Sequence, residues 1–187
     1  MEAKTVYFEN PGKDNTDAVF KIVAERAKAL SIKTVVVAST TGGNAVKAVN
    51  ALSGLKVVAV AHSTGFREPN SQEFTAENQK LVESKGGKVL ITTHLFSGLS
   101  AAMRKKFSTY EIGDIVANTL RVFGQGMKVV CETSVMAADA GLIRTDEDVI
   151  AVAGTSRGAD LAVVIRAAPS GDFFDLKVKE ILCKPRL

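Results

Sequence analysis

Apolar positions recur with two alternating periods along the chain, and their alternation predicts the fold. Across residues 15–30, Val19, Ile22, Val23, Ala27 and Leu30 fall on one face of a helix, and Asp14 or Asn15 offers the N-cap. Residues 34–38 then form a short, β-branched, continuously apolar run, which residues 57–61 and 89–91 repeat. Such runs suit strands covered on both faces, as in parallel sheets. Before the last of these, residues 74–85 read as a helix that Gly86 and Gly87 terminate. The helical period is clearest in residues 110–123, through Ile112, Ile115, Val116, Thr119, Leu120 and Phe123. Ser108 to Glu111 reads as its capping box, and Gly124 as its end.

Farther along, residues 129–131 read as a fourth strand, residues 135–140 as a short Ala-rich helix, and residues 149–153 as a fifth strand. Only residues 154–160 separate that strand from the next apolar run, residues 161–165. A parallel crossover needs a dozen or more residues, so this pair is expected to form an antiparallel hairpin. Phe174, Leu176 and Val178 alternate with charged neighbours, as in a half-exposed edge strand. The N-terminal stretch Tyr7 to Gly12 reads either as a strand plus a cap over the sheet or as a flap. The expected class is α/β, with helices on both faces of a mostly parallel sheet that has an antiparallel margin.

Composition narrows the setting more than the chemistry. The 187 residues fit one domain over 1–187, and 46% hydrophobic against 24% charged content suits a folded globular chain. Net charge is +4, with Lys and Arg scattered, so nucleic acid is not an expected partner. No apolar run reaches the ~20 residues of a membrane span, and Glu2 to Thr5 lack an apolar signal core. The two cysteines, Cys131 and Cys183, form no metal or redox motif, so a cytoplasmic location is the simplest expectation.

In open α/β sheets, ligands bind beyond the carboxyl ends of the parallel strands. After the first run come Ser39, Thr40, Thr41, Gly42, Gly43 and Asn44, leading into a helix. Hydroxyls, glycines and a helix N-terminus together make an anion cradle, although the same residues also suit a tight turn with an Asn cap. The Gly-Lys-Ser/Thr ending of a P-loop is missing. Gly124 and Gly126 are set aside as a nucleotide fingerprint because they are expected to lead into a strand. His62, Ser63, Gly65 and Phe66 follow the second run, and Thr93 and His94 the third, which brings both histidines to the cradle's rim. Thr133 is placed after the fourth strand. Gly154, Thr155, Ser156 and Arg157 follow the fifth; Arg157 could meet a phosphate, or with Asp160 could simply shape the hairpin. Nothing marks a metal site or a serine or cysteine nucleophile, and residues 104–106 read as a solvated helix face.

Residues 34–61, with the Ser39 to Gly43 turn, resemble the C-terminal domain of pyruvate kinase, as do residues 138–143 and 148–155 with the closing hairpin. In that domain the first loop and the loop matching Gly154 to Asp160 bind a sugar bisphosphate. A closer resemblance is to a small, mostly archaeal family of stand-alone pyruvate-kinase-C-terminal-domain-like proteins. It is carried by Tyr7 to Gly12 with Asn15 and Thr16, Thr93 and His94 with Ser97 and Gly98, Phe123 to Gly126, Met136 to Leu142, and Gly154 to Asp160. The resemblance implies a three-layer α/β/α fold with core strand order 3-2-1-4-5, and flavin mononucleotide (FMN) binding without an established reaction. Thr41 and Gly43 stand where pyruvate kinase's first loop has Lys and Arg, so sugar-bisphosphate recognition is not expected to carry over. No segment resembles the catalytic barrel, and pyruvate kinase activity is not expected.

On this reading a small phosphorylated ligand, FMN first among candidates, lies against the cradle and the Gly154 loop. Phe66, Phe96 or Phe8 would supply a flat wall, and His62, Thr93 or His94 polar contacts, with His94 the candidate proton-transferring residue. A non-enzymatic module sensing a phosphorylated metabolite is the alternative, and a purely structural homo-oligomerisation domain a third reading.

Overall fold

The β-branched apolar runs build the centre of one sheet. The structure, a computed structural model, describes residues 2–186; Met1 and Leu187, the ends of the expected domain, lie outside the described residues. The strands are β1 (Val6–Phe8), β2 (Thr34–Ala38), β3 (Lys56–His62), β4 (Lys88–Thr92), β5 (Asp148–Ala153), β6 (Leu161–Arg166) and β7 (Lys177–Pro185). They form a single sheet in the order β1-β7-β6-β5-β2-β3-β4. Strands β2 to β5 pair in parallel, β5 with β6 and β6 with β7 antiparallel, and β1 with β7 parallel. The expected hairpin is therefore present, and Tyr7 and Phe8 extend the sheet as its edge strand.

Helices cover both faces. One face carries α1 (Thr16–Leu30), α2 (Gly43–Ala51) and α3 (Ala76–Ser84). Val19, Phe20 and Val23 of α1 pack there against Val35, Val37, Ile150 and Val152. The other face carries α6 (Gln125–Asp139), where Met127, Val130 and Cys131 meet Val36, Val58, Ala151 and Val163. Before α6 come α4 (Gly98–Phe107) and α5 (Ile112–Arg121). Side chains alternate along β2 into the two layers, as the period of a strand dictates. Among the described residues, no helix is long and apolar enough to cross a membrane.

Several expectations change. Residues 129–131 are not a strand but lie inside α6, which also absorbs the short helix expected at residues 135–140. Buried residues line almost every side of α6, so its sequence shows no amphipathic period and a short apolar run in it mimics a strand. The implied order 3-2-1-4-5 holds with β5 and β6 as its fourth and fifth members. Gly124 and Gly126 accordingly open a helix; a Cβ at Gly126 would lie 2.8 Å from Leu161 Cβ, so glycine lets α6 approach β6. Phe174 lies on a 3-10 turn, and β7 is interior to the sheet, flanked by β6 and β1. The capping box of α5 is real but sits three residues later, on Glu111 and Asp114, because Ser108 already ends α4 in a left-handed conformation.

Candidate functional site

Strand order reverses at β2, whose neighbours β3 and β5 lead away in opposite directions, and the loops leaving these carboxyl ends diverge to open a crevice. The crevice is a cavity of about 660 Å³. Ser39, Thr40, Thr41, Gly43, Asn44, His62, Phe66, His94, Gly154, Ser156 and Arg157 all line it, as does Phe96. Gly42, Ser63, Gly65, Thr93 and Thr155 do not.

The β2–α2 loop is held open from behind. Asn78 Nδ2 donates to the Thr41 carbonyl at 2.9 Å, which turns that oxygen away from the cavity. Gly42 has φ +96°, and a Cβ there would lie 2.5 Å from Asn78 Cβ, so only glycine fits. Ser39 Oγ accepts from Ala45 N at 3.2 Å and thus caps α2. Gly43 and Asn44 begin α2, and a helix cannot satisfy its first N–H groups internally. Both residues line the cavity, which places it at the positive end of the helix dipole.

The β5–β6 loop forms the opposing lip. Buried Asp160 accepts from Gly12 N at 2.8 Å and from Thr155 N at 3.0 Å, tying the N-terminal turn to this loop. Its role is to shape the hairpin, and Thr155 is engaged by it. Arg157 is exposed and makes no ion pair among the described residues.

Both histidines reach the floor, each with a carboxylate on Nδ1. His62 lies 2.9 Å from Glu73, and His94 3.1 Å from Glu132. Phe66 stacks on His62 at 4.0 Å, and His94 meets the His62 ring edge-on at 4.8 Å. Burial lowers the His62 pKa against a smaller opposing pull from the Glu73 hydrogen bond, and the neighbouring His94 adds to the lowering. His94 Nε2 is buried without a partner among the described residues.

Sequence reasoning missed the group behind His94. Glu132 is fully buried on α6 and accepts from Phe96 N at 2.9 Å and from Lys128 Nζ as well as facing His94. Burial alone would raise its pKa, but the His94 hydrogen bond and the Lys128 charge prevail and hold it at about 2. Lys128 and Glu132 are one helical turn apart, a relation that the strand reading of residues 129–131 concealed. A Lys and a Glu spaced by four around an apolar triplet were the available signal. The far wall, from α4 and α5, was also missed: Arg104 pairs with Asp114, and Tyr110, Asn118 and Arg121 line the cavity beside them.

Two candidates fall away. Thr133 belongs to α6, not to a strand end, and its hydroxyl donates to the Val129 carbonyl at 2.8 Å. Phe8 pairs with Pro185 in the edge strand and does not line the cavity. Cys131 and Cys183 are buried, and burial pushes both thiols up to about 12, so neither is a nucleophile.

A family profile described as pyruvate kinase, alpha/beta domain, matches residues 17–165. Among solved structures, a pyruvate kinase from Cryptosporidium parvum is 14% identical with a TM-score of 0.44, covering 81% of this chain and 22% of that one. Cryptosporidium parvum pyruvate kinase in complex with ADP gives 15%, 0.45, 81% and 23%. An O-ureido-L-serine synthase variant with O-ureido-L-serine bound is 21% identical with a TM-score of 0.30, over 72% of this chain and 49% of that one. The chain thus spans less than a quarter of the length of the pyruvate kinases it matches. With most of its length matched by that profile, the chain belongs to the pyruvate kinase alpha/beta domain family.

Proposed function

We propose that this domain binds a small phosphorylated ligand bearing a planar ring, with FMN the lead compound, at the carboxyl ends of β2 to β5. The observation that carries the reading is the single cavity joining the N-terminus of α2 to the floor of His62, Phe66 and His94. Its volume of about 660 Å³ falls within the roughly 300–1,000 Å³ of small-molecule sites.

The residues present fit such a ligand. Gly43 and Asn44 N–H groups, the Thr40 and Thr41 hydroxyls and Arg157 would hold the phosphate. Phe66 and Phe96 would flank the ring, and the unpartnered Nε2 of His94 offers a hydrogen bond to a ring heteroatom. Bound FMN would supply hydride or single-electron transfer chemistry. The chain's own contribution would be to position a proton: ionised Glu132 holds the His94 proton on Nδ1 and leaves Nε2 to exchange one with the bound molecule. Lys128 keeps Glu132 ionised within the core.

The test is an absorption spectrum of protein purified from its native host, mass spectrometry of the released ligand, and a fluorescence titration with FMN. A flavin spectrum and saturable quenching are expected. A colourless protein that does not quench FMN, but whose thermal transition rises with phosphorylated metabolites, would replace this reading with that of a sensor.

A further inference from the structure

The outer face of α5 is apolar and bare. Ile112, Ile115 and Val122 are 78%, 63% and 75% exposed, and Thr119 is exposed between them. Tyr110 and Phe123 at the helix ends are exposed too, as are Leu99 and Phe107 on α4. Helix α4 lies against α5, with Arg104 paired to Asp114 and Ser100 beside Gly113. Seven of the twelve exposed large apolar side chains among the described residues thus belong to residues 99–123. Apolar residues exposed singly need no explanation, whereas a contiguous patch marks an interface. The helix is not free to turn this face inward, because Asp114, Asn118 and Arg121 commit its polar side to the cavity.

We propose that this face docks on the same face of a second copy, with the two α5 helices antiparallel about a two-fold axis at the level of Ala117. The argument begins with spacing. Ile112, Ile115, Thr119 and Val122 lie at i, i+3, i+7 and i+10, the repeat of a helix–helix seam. That spacing reads the same in reverse, so an antiparallel copy places Ile112 on Val122 and Ile115 on Thr119 without a mismatch. An interface across a two-fold axis demands this self-complementarity.

Charge and area agree. Within α5 the charged side chains are Asp114 and Arg121, both on the cavity side, so no like charges meet along the α5–α5 seam itself. Antiparallel helix dipoles are mutually favourable. Leaving aside Tyr110, which lines the cavity, the other six exposed side chains offer on the order of 600 Å² per copy, of the same order as the roughly 800 Å² per partner of a stable interface. Because the other side of α5 is a cavity wall, pairing would also steady that wall.

Sedimentation velocity of the unmodified chain, Ile112→Glu, Val122→Lys and an equimolar mixture of the two variants tests the proposal. The unmodified chain is expected to sediment as a dimer. Each variant alone buries unpaired charges twice per dimer, and should weaken association by roughly 10²-fold or more. Both sites are exposed in one copy, so circular dichroism and the thermal transition of the monomer should be unchanged. Mixing should restore the dimer, since one Glu then faces one Lys. A mixture that remains monomeric overturns the antiparallel pairing. An unmodified chain that is monomeric, whether or not it cosediments with phosphatidylserine vesicles through the neighbouring Lys105 and Lys106, overturns the second-copy proposal.

Discussion

Replacing Glu132 with Gln removes one charge from the core and keeps the side-chain shape. The carboxylate receives three donors: Phe96 N, Lys128 Nζ and His94 Nδ1. A glutamine oxygen can still accept from Phe96, but its amide nitrogen would then face Lys128 and His94 with N–H groups of its own. The Lys128 side chain is only 10% exposed and would lose its counter-ion. Breaking one side of such a buried pair costs about 3–5 kcal/mol, so Glu132→Gln should destabilise the domain by that amount at neutral pH. Lys128→Met combined with Glu132→Gln should cost less than the sum of the two single changes, since the second removes the charge stranded by the first.

The pH dependence gives an independent check. Folding takes the Glu132 carboxyl from its ordinary 4.5 to about 2. A depressed carboxyl stabilises the fold in full above its unfolded value and loses that contribution as pH falls towards the folded one. At about 1.4 kcal/mol per unit, this amounts to on the order of 3 kcal/mol, lost between about pH 4.5 and pH 2. Urea unfolding of both proteins at steps across that window should show the gap between them narrowing as pH falls. A gap that is below 1 kcal/mol at neutral pH (on the order of RT) and constant with pH would refute the account of Glu132 as an ionised, triply bonded anchor.

Other expectations concern the rim. Gly43→Glu should abolish FMN or phosphate binding in a titration while leaving the melting curve unchanged, because a Cβ at Gly43 meets only Thr41 Oγ1, at 3.9 Å. Arg157→Ala should weaken binding less, being one contact among several. His94→Gln should retain the ligand, since the amide can still donate to Glu132. If the domain is a flavin oxidoreductase, the same change should slow stopped-flow reduction and reoxidation of the flavin by about 10²–10⁴-fold, the loss typical of a proton-transferring group. Gly158→Ala should destabilise the fold by at least about 2 kcal/mol in urea, because Gly158 has φ +103° and its Cβ would fall 2.3 Å from Lys13 Cα.

What could be read in the sequence depended on how one-sided each element's surroundings are. Residues 34–38 and 149–153 announce themselves because a strand in the middle of a sheet covered by helices buries both faces and tolerates only apolar, mostly β-branched side chains. Helix α1 is legible for the opposite reason: it buries one stripe, Val19, Phe20, Val23 and Ala27, and leaves the rest to solvent. Helix α6 fails both tests. It is buried nearly all round, and the polar groups inside it, Lys128 and Glu132, neutralise each other instead of marking a solvent face. Helix α5 misleads in another way, since Leu120 packs on the core as its period suggests while Ile112, Ile115 and Val122 are turned away from it.

The same distinction governs the site. Strand ends locate a rim without any knowledge of side-chain direction, which is why the Ser39, His62, His94 and Gly154 turns could all be assigned to one edge from sequence. Whether each side chain reaches the cavity depends on packing behind the loop, which no local pattern records. Thr41 and Gly42 are neighbours, yet Thr41 lines the cavity while Gly42 is pressed against Asn78 and Phe74 of the α3 layer. Thr155 and Ser156 are likewise adjacent, and the pull of Asp160 on Thr155 N leaves Ser156 to face the cavity in a left-handed conformation. The residues that set the electrostatics, Glu132 and Lys128, come from a helix packed beneath the sheet ends. They meet His94 only through tertiary structure, so a rim read from sequence names the imidazole but not the carboxylate that orients it.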